Sequence, residues 1–146
     1  MHRVERVYDA AVINCAVNLP EVLPQVARGY EDFDLTEFVT DKRNVALRAG
    51  EAFAIFAHKG AGVYEGHYLF PASVRGPRAK EAARAMICHM FTRVGASAIH
   101  GHIPRSHRAA RALTYALGFA FVGKSLNVDN EVCAHYVLEK DKWAAF

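Results

Sequence analysis

Cysteine is scarce in this sequence, and the three cysteines present do not suggest a disulfide framework. Cys15, Cys88 and Cys133 are far apart, and their number is odd. Disulfide frameworks are typical of small secreted domains, whereas widely spaced cysteines are typical of proteins in a reducing compartment. A chain of 146 residues, 52% of them hydrophobic, can bury a core without cross-links. We therefore expect a cytoplasmic protein.

Long apolar runs and internal divisions are also missing. No run of 18 apolar residues could cross a bilayer, and the opening residues MHRVERVYDA contain no apolar core like that of a signal peptide. No repeat, low-complexity tract or linker separates one part of the chain from another. The sequence predicts a single domain over residues 1–146, with no membrane partner.

Acidic residues are scarce in one part of the chain. Residues 75–111 contain 8 Lys and Arg but only one acid, Glu81, a balance of +7, whereas residues 1–74 carry −3 and residues 112–146 carry −1. A cationic block inside a near-neutral chain predicts one localised anion-binding surface. A solvated helix face would produce the same count.

The sequence predicts a variable helical segment over residues 1–43 and a core over residues 44–140. Pro20 and Pro24 limit any early helix to short pieces. The runs NVALRAG, EAFAIFAHKG and GVYEGHYLF are β-rich and separated by glycine-containing turns, which predicts an antiparallel meander of three strands.

Two helices and three more strands follow the meander. Apolar residues recur every three or four positions from Ala79 to Val94, which predicts a helix of about four turns that ends near Gly95 and buries Cys88. The run SAIHGHIP predicts a strand, and a second helix follows with Ser106 as its N-cap. The last two strands are FAFVGKSL and VCAHYVLEK, with Cys133 in the core. The order predicts a mixed α/β, or α+β, domain with a mostly antiparallel sheet.

The start of the first long helix carries positive charge where negative charge is usual. Pro77 suits the first turn, and Arg75, Arg78 and Lys80 surround it. A helix N-terminus carries roughly half a positive charge, and each nearby exposed cation costs about 0.3–1 kcal/mol. An anion bound to the free N–H groups would more than offset that cost. The alternative is three solvated cations.

This order of elements, with two local patterns, resembles the GNAT superfamily of acyl-CoA-dependent N-acetyltransferases. LFPASVRGPRAKEAA resembles the family's CoA pyrophosphate loop, with Arg75 and Gly76 at the first two motif positions and with Arg78 and Lys80 where glycines are usual. HRAARALTYALGF resembles the family's helix that starts at Asn and ends in Leu-Gly-Phe, and His107 takes the Asn position. The resemblance covers about residues 44–140, and the runs NLPEV and GVYEGHYLF are similar to small GNAT-like proteins encoded by bacteriophages.

The resemblance implies an N-acetyltransferase that uses acetyl-CoA and an unidentified amine acceptor, on a small molecule or a protein. Main-chain N–H groups at Leu69 or Phe70 would bind the thioester oxygen. Thr114 stands where many members carry a Tyr that protonates the CoA thiolate, and Tyr115 is one residue away. The implied CoA-binding residues are Leu69, Phe70, Arg75, Gly76, Pro77, Arg78, Ala79, Lys80 and His107.

The candidate catalytic residues lie on the third meander strand. Glu65 and His67 are two residues apart, so both can face the same side of the sheet unless a bulge intervenes. Glu65 is the first candidate general base, directly or through water, and His67 is the second. Solvation of Glu65 and cross-strand packing of His67 are the structural alternatives.

A His-x-His pair on the next strand raises the question of a metal. His100 and His102 could supply two zinc ligands, but no third ligand lies at motif spacing. We therefore expect no metal, and we expect the pair to line the cleft where acceptor or CoA enters.

Two other functions stay open at this point. The missing loop glycines and Thr114 favour a catalytically degenerate GNAT fold that acts as a binding or phage virion-associated protein. Arg105, Arg108 and Arg111 would suit a basic nucleic-acid-binding helix, but neither a helix-turn-helix nor stacking aromatics accompany them, so nucleic acid is the weakest alternative. A homodimer is a common assembly and is expected on that basis.

Overall fold

Strands that are mostly antiparallel form one sheet at the centre of the protein. The computed structural model describes residues 3–26 and 31–145. Its strands are β1 (Val4–Arg6), β2 (Val45–Ala49), β3 (Ala52–Gly60), β4 (Val63–Leu69), β5 (Ala98–Pro104), β6 (Ala120–Leu126) and β7 (Val132–Glu139). They lie in the order β1-β2-β3-β4-β5-β7-β6. Among the strands of the described residues, only β4 and β5 pair in parallel, so the predicted mixed fold is confirmed.

Helices cover both faces of this sheet. They are α1 (Ala10–Val17), α2 (Leu23–Val26), α3 (Thr36–Thr40), α4 (Pro77–His89), α5 (Arg108–Ala116) and α6 (Lys140–Ala145). Along β3, Ala54 and Phe56 pack with the cluster under α4 and α5, whereas Phe53 and Ile55 pack with the cluster under α1 and α3. The period of two along a strand therefore divides the core into two layers. No helix within the described part of the chain is long and apolar enough to cross a bilayer.

The N-terminal segment departs from the helical expectation for residues 1–43. β1 pairs antiparallel with β2, with Val4 opposite Ala49 and Arg6 opposite Leu47, so the sheet begins before the predicted core does. A strand of three residues is too short to show an alternating pattern. The short helices α1, α2 and α3 agree with the prediction that Pro20 and Pro24 break this region.

The first long helix follows its predicted apolar stripe. Ala79, Ala82, Ala83, Met86 and Ile87 are buried. The helix continues through a π-helical turn over Met90–Val94 and ends at Gly95, whose φ of 88° is the left-handed conformation that glycine adopts most easily. The prediction of an end near Gly95 is confirmed.

The two cysteines predicted in the core have different environments. Cys133 is buried on β7, as predicted. Cys88 is only half-buried, and the core prediction for it is wrong because its position on α4 lies beside the apolar stripe rather than within it. All three cysteines are free thiols.

Candidate active-site cleft

The two parallel strands separate and open a cleft. Their pairing runs from Val63 with Ala98 to Glu65 with His100. β4 continues to Leu69 and β5 continues to Pro104, yet no further pair joins them in the ranges that the structure describes. A cavity of about 470 Å³ fills the gap, with walls from both strands, α4 and α5. This volume lies in the usual range for ligand sites, about 300–1,000 Å³.

One end of the cavity is the N-terminus of α4. Gly76 is the N-cap, Pro77 occupies the first turn, and no side chain of residues 3–26 or 31–145 caps this end. The φ of 55° and ψ of −129° at Gly76 suit glycine alone among the residues. Pro77 has no N–H, and the Arg78 N–H donates to the Arg75 carbonyl at 3.2 Å, so the helix dipole and the other N–H groups of the first turn favour an anion here.

The predicted loop cations differ in their relation to the cavity. Arg75, Gly76, Ala79 and Lys80 line it. Arg78 is exposed and is not among the described lining residues. Two of the three cations therefore face the cavity, and they do so at the end where an anion would meet the helix.

The second helix begins at His107. The N-cap is His107 rather than the predicted Ser106, because α5 starts at Arg108 and Ser106 lies in the preceding turn. The His107 Nδ1 accepts a hydrogen bond from the Ala110 N–H at 3.3 Å, so Nε2 carries the proton of the neutral ring. Burial, and to a smaller extent the charge of Arg75, lowers the pKa of His107. His107 lines the cavity and presents a neutral donor.

The residues predicted to bind the thioester oxygen lie at the end of β4. The Leu69 side chain is fully buried with the cluster under α1 and α3, and Phe70 packs with the opposite cluster. Phe70 also lines the cavity. The main-chain role for their N–H groups stays a prediction.

Glu65 and His67 form a contact on one face of β4. The register between β3 and β4 is continuous from Tyr64 to Leu69, and Leu69 shares the α1 and α3 face, so Glu65 and His67 do too. Their separation is 3.3 Å from Nε2 to Oε1, and the Lys59 Nζ lies 3.4 Å from the other carboxylate oxygen. The hydrogen bond from His67 lowers the pKa of Glu65 to about 2, which makes this carboxylate a weak base. His67 lines the cavity.

Three histidines gather beside this pair. His100 and His102 alternate with the buried Ile99 and Ile103 and line the cavity, as predicted. The register of β5 and β7 places His135 opposite His102. The His100 Nδ1 lies 2.8 Å from the His135 Nε2. No group of three or more His, Cys, Asp or Glu within residues 3–26 and 31–145 has the arrangement of a metal site.

A tyrosine from β4 meets Thr114 on the opposite face. The Tyr68 hydroxyl lies 2.8 Å from the Thr114 Oγ1, which itself donates to the Ala110 carbonyl at 2.8 Å. Tyr68 is therefore the donor in the first bond. Burial raises the pKa of Tyr68 to about 12. Tyr115 is 76% exposed and points away, as expected from its position on the helix.

The sequence-based interpretation did not place Tyr68 in the site. Tyr68 and Thr114 are 46 residues apart in sequence, and only the packing of α5 on β4 brings them together. The run GVYEGHYLF predicts that Tyr68 lies on the strand face opposite His67. It does not predict that Tyr68 contacts Thr114.

Comparisons with known proteins agree with this architecture. A scan of protein-family models and a search of curated proteins give no match. The structure of aminoglycoside acetyltransferase AAC(6')-Ib in complex with coenzyme A and kanamycin is similar, with a TM-score of 0.77 and 16% identity over 99% of this chain and 98% of that one. The Vibrio cholerae spermidine N-acetyltransferase in complex with CoA and spermine has a TM-score of 0.77 and 11% identity over 98% of each chain. The chain has the GNAT fold.

Proposed function

We propose that this protein is an acetyl-CoA-dependent N-acetyltransferase that transfers an acetyl group directly to an amine. The observation that carries the proposal is the cleft between β4 and β5, which runs to the uncapped N-terminus of α4. An elongated thioester with a pyrophosphate matches both ends of this cavity. The apolar gap would hold the acyl arm, and the helix N-terminus would hold the anion.

The proposed CoA site uses side chains more than a glycine-rich backbone. Arg75 and Lys80 would contact the pyrophosphate oxygens, and the N–H groups around Gly76 would bind them from the helix end. His107 would donate from Nε2. Arg78, Pro77 and Ala79 would complete the loop, with Arg78 acting through longer-range charge.

The reaction requires three proton movements. An alkylammonium acceptor loses one proton before it attacks, its nitrogen loses a second after the N–C bond forms, and the sulfur gains one when the C–S bond breaks. The net result is one proton released to solvent. After the N–C bond forms and before the C–S bond breaks, the N–H of Leu69 or Phe70 would bind the oxyanion of the tetrahedral intermediate.

The Glu65–His67 pair is proposed to take the second proton. His67 lines the cavity and lies 3.3 Å from Glu65. The ionised Glu65 would orient the ring and stabilise the imidazolium, or act through a water molecule. In this arrangement Glu65 acts mainly through its negative charge, because its low pKa makes it a weak base.

Tyr68 is proposed as the donor to the departing thiolate. It lies on the α4 and α5 face of β4 and lines the cavity, and it is protonated at neutral pH, with a pKa that burial raises to about 12. Thr114 fixes the position of the phenol oxygen, and the phenol hydrogen would turn from the Thr114 Oγ1 to the sulfur as the C–S bond breaks. The phenol would thus replace the helix tyrosine that the resemblance leads one to expect at position 114.

A thermal-shift titration with acetyl-CoA tests the function. Saturation at 100 times Kd contributes about 2.7 kcal/mol of stability, which for a domain of this size raises Tm by roughly 5–10 °C. Transfer is then measured as CoA thiol release with kanamycin, spermine and butylamine as probe amines.

The other functions predict different results in the same experiments. No shift at millimolar acetyl-CoA would contradict the proposal, and a shift without transfer to any probe would favour a degenerate binding protein. DNA affinity that falls steeply with salt, without any CoA effect, would favour a nucleic-acid-binding domain.

We further propose that the chain works as a homodimer in a reducing compartment. β6 is an edge strand of the sheet, and it exposes Phe121 at 56% and Leu126 at 66%. Large exposed apolar side chains at an edge favour association. Light scattering coupled to size exclusion should give twice the mass of 16.2 kDa, and a monomer at micromolar concentration would contradict the dimer.

A further inference from the structure

We infer that His100 and His135 form a proton relay that carries the ammonium proton of the acceptor from the cleft towards solvent beside β7. This inference rests on the proposed acetyl transfer, and it assigns the first of the three proton movements. It also separates that movement from the one proposed for the Glu65–His67 pair.

The geometry of the two rings supports the relay. His100 lines the cavity, and its Nδ1 is occupied by the His135 Nε2 at 2.8 Å, which leaves its Nε2 for the acceptor. His135 lies one strand further out, on β7, and is not among the described lining residues. One end of the pair therefore contacts the cleft, and the other lies outside it.

Neighbouring groups hold the outer ring in position. His102 stacks on His135 with ring centroids 4.1 Å apart and planes 18° from parallel. The His102 Nδ1 lies 3.0 Å from the Ser125 Oγ on β6. The cluster thus spans three adjacent strands, β5, β7 and β6, and the ring of His135 contacts both His100 and His102.

The charges around the cluster favour neutral rings that can accept one proton. Burial lowers the pKa of His100, His102 and His135, and positive charge on one ring disfavours charge on the next. Glu65 acts in the opposite direction on all three. The titratable groups that face the cluster are Glu65 and His67 on β4, Lys59 on β3 and Glu139 on β7.

Each transfer balances. In the starting state the His100 Nδ1–H donates to the His135 Nε2, and the His135 Nδ1–H is free to leave. The ammonium gives its proton to the His100 Nε2, the Nδ1 proton crosses to the His135 Nε2, and the His135 Nδ1 proton passes to water. The acceptor becomes a neutral amine, and one proton has entered solvent. Solvent exchange restores the starting tautomers once the product has left.

Nuclear magnetic resonance tests the hydrogen bond without any substrate. With ¹⁵N-labelled histidine we expect a scalar coupling across the hydrogen bond between the His100 Nδ1 and the His135 Nε2. Both rings should titrate together below the ordinary histidine pKa of about 6.5. Independent titrations without the coupling would overturn the relay.

Kinetics of variants test the proton transfer. We expect His100→Gln to lower kcat about 100-fold, in the range of general-base effects. We expect His135→Gln, which keeps a hydrogen-bonding group but cannot pass a proton, to lower kcat about tenfold. Both variants should lose the acid limb of the pH profile and keep the KM for acetyl-CoA. Imidazole in the buffer should restore part of the rate of His135→Ala.

His89→Gln is the matched control. His89 is half-buried at the end of α4, and burial lowers its pKa as well, but it lies near Arg6 rather than near the cleft. We expect wild-type kinetics from it. If the wild-type protein transfers acetyl groups and the His100 and His135 variants have the same kcat, the relay is wrong and the proposed function stands. Absence of any wild-type transfer would remove the proposed function and the relay with it, whatever the resonance data show.

Discussion

Replacing both Arg75 and Lys80 by alanine should raise the Kd for acetyl-CoA about 100-fold or more. Both side chains line the cavity at the N-terminus of α4. Each hydrogen bond to a charged partner contributes roughly 1.5–3 kcal/mol, and every 1.4 kcal/mol is about tenfold in affinity. The thermal shift at a fixed acetyl-CoA concentration should therefore almost disappear, and calorimetric titration measures the remaining Kd.

The stability of the free protein provides an internal control for this variant. Cations beside a helix N-terminus oppose the dipole by about 0.3–1 kcal/mol each, so their removal should leave the Tm without ligand unchanged or slightly higher. Loss of binding together with a lower Tm would indicate a folding defect instead.

Two single variants separate position from charge. Arg84→Ala removes an exposed cation from the next part of α4 and should keep the full shift. Arg78→Ala should have a smaller effect than the double variant, because Arg78 is exposed and outside the cavity wall. Equal losses from Arg84→Ala and from the double variant would mean that net charge, rather than a site at α4, governs binding.

Local patterns were enough to predict much of the fold. The β-rich runs that form β2, β3 and β4, the glycines at the turns and the apolar stripe of α4 each depend on residues a few positions apart. Gly76 and Pro77 similarly indicate the start of α4 from local conformation alone. Even the shared face of Glu65 and His67 follows from a period of two, and the structure confirms it.

Contacts between distant segments could not be predicted in the same way. β7 lies between β5 and β6 in the sheet, so His135 meets His100 across 35 residues of sequence. Hydrophobic periodicity along one strand does not show which other strand pairs with it in the sheet. β1 was missed for a different reason, because it forms only three ladder pairs with β2 and depends on that neighbour for its structure.

Replacing Tyr68 by phenylalanine should lower kcat about 100-fold, in the range expected for loss of a general acid. The KM for acetyl-CoA should stay within about twofold, because the ring remains and no proposed CoA contact except the phenol hydrogen is lost. The phenylalanine ring can keep the packing of Tyr68 against Phe70, whose ring centroid lies 5.2 Å away. Steady-state measurement of thiol release separates the two constants.

The reason for a large effect is the chemistry of the leaving group. A thiolate that departs into a cavity walled mainly by apolar groups lacks solvation, so a donor at the sulfur lowers the barrier substantially. Tyr68 is protonated, and its hydroxyl already has a defined position 2.8 Å from Thr114. Because the Tyr68 pKa of about 12 lies above the ordinary thiol pKa of about 8.5, the phenol stabilises the departing sulfur chiefly by donating a hydrogen bond to it as charge develops.

A swap of the tyrosine between strand and helix gives the sharpest control. Tyr115→Phe changes a tyrosine that is 76% exposed on the same helix and should leave kcat unchanged. Tyr68→Ala combined with Thr114→Tyr vacates the strand position and supplies a phenol from the helix instead. Recovery of at least tenfold over Tyr68→Ala would show that the phenol, rather than the shape of the wall, determines the rate. Full activity of Tyr68→Phe would instead mean that the thiolate takes its proton from water.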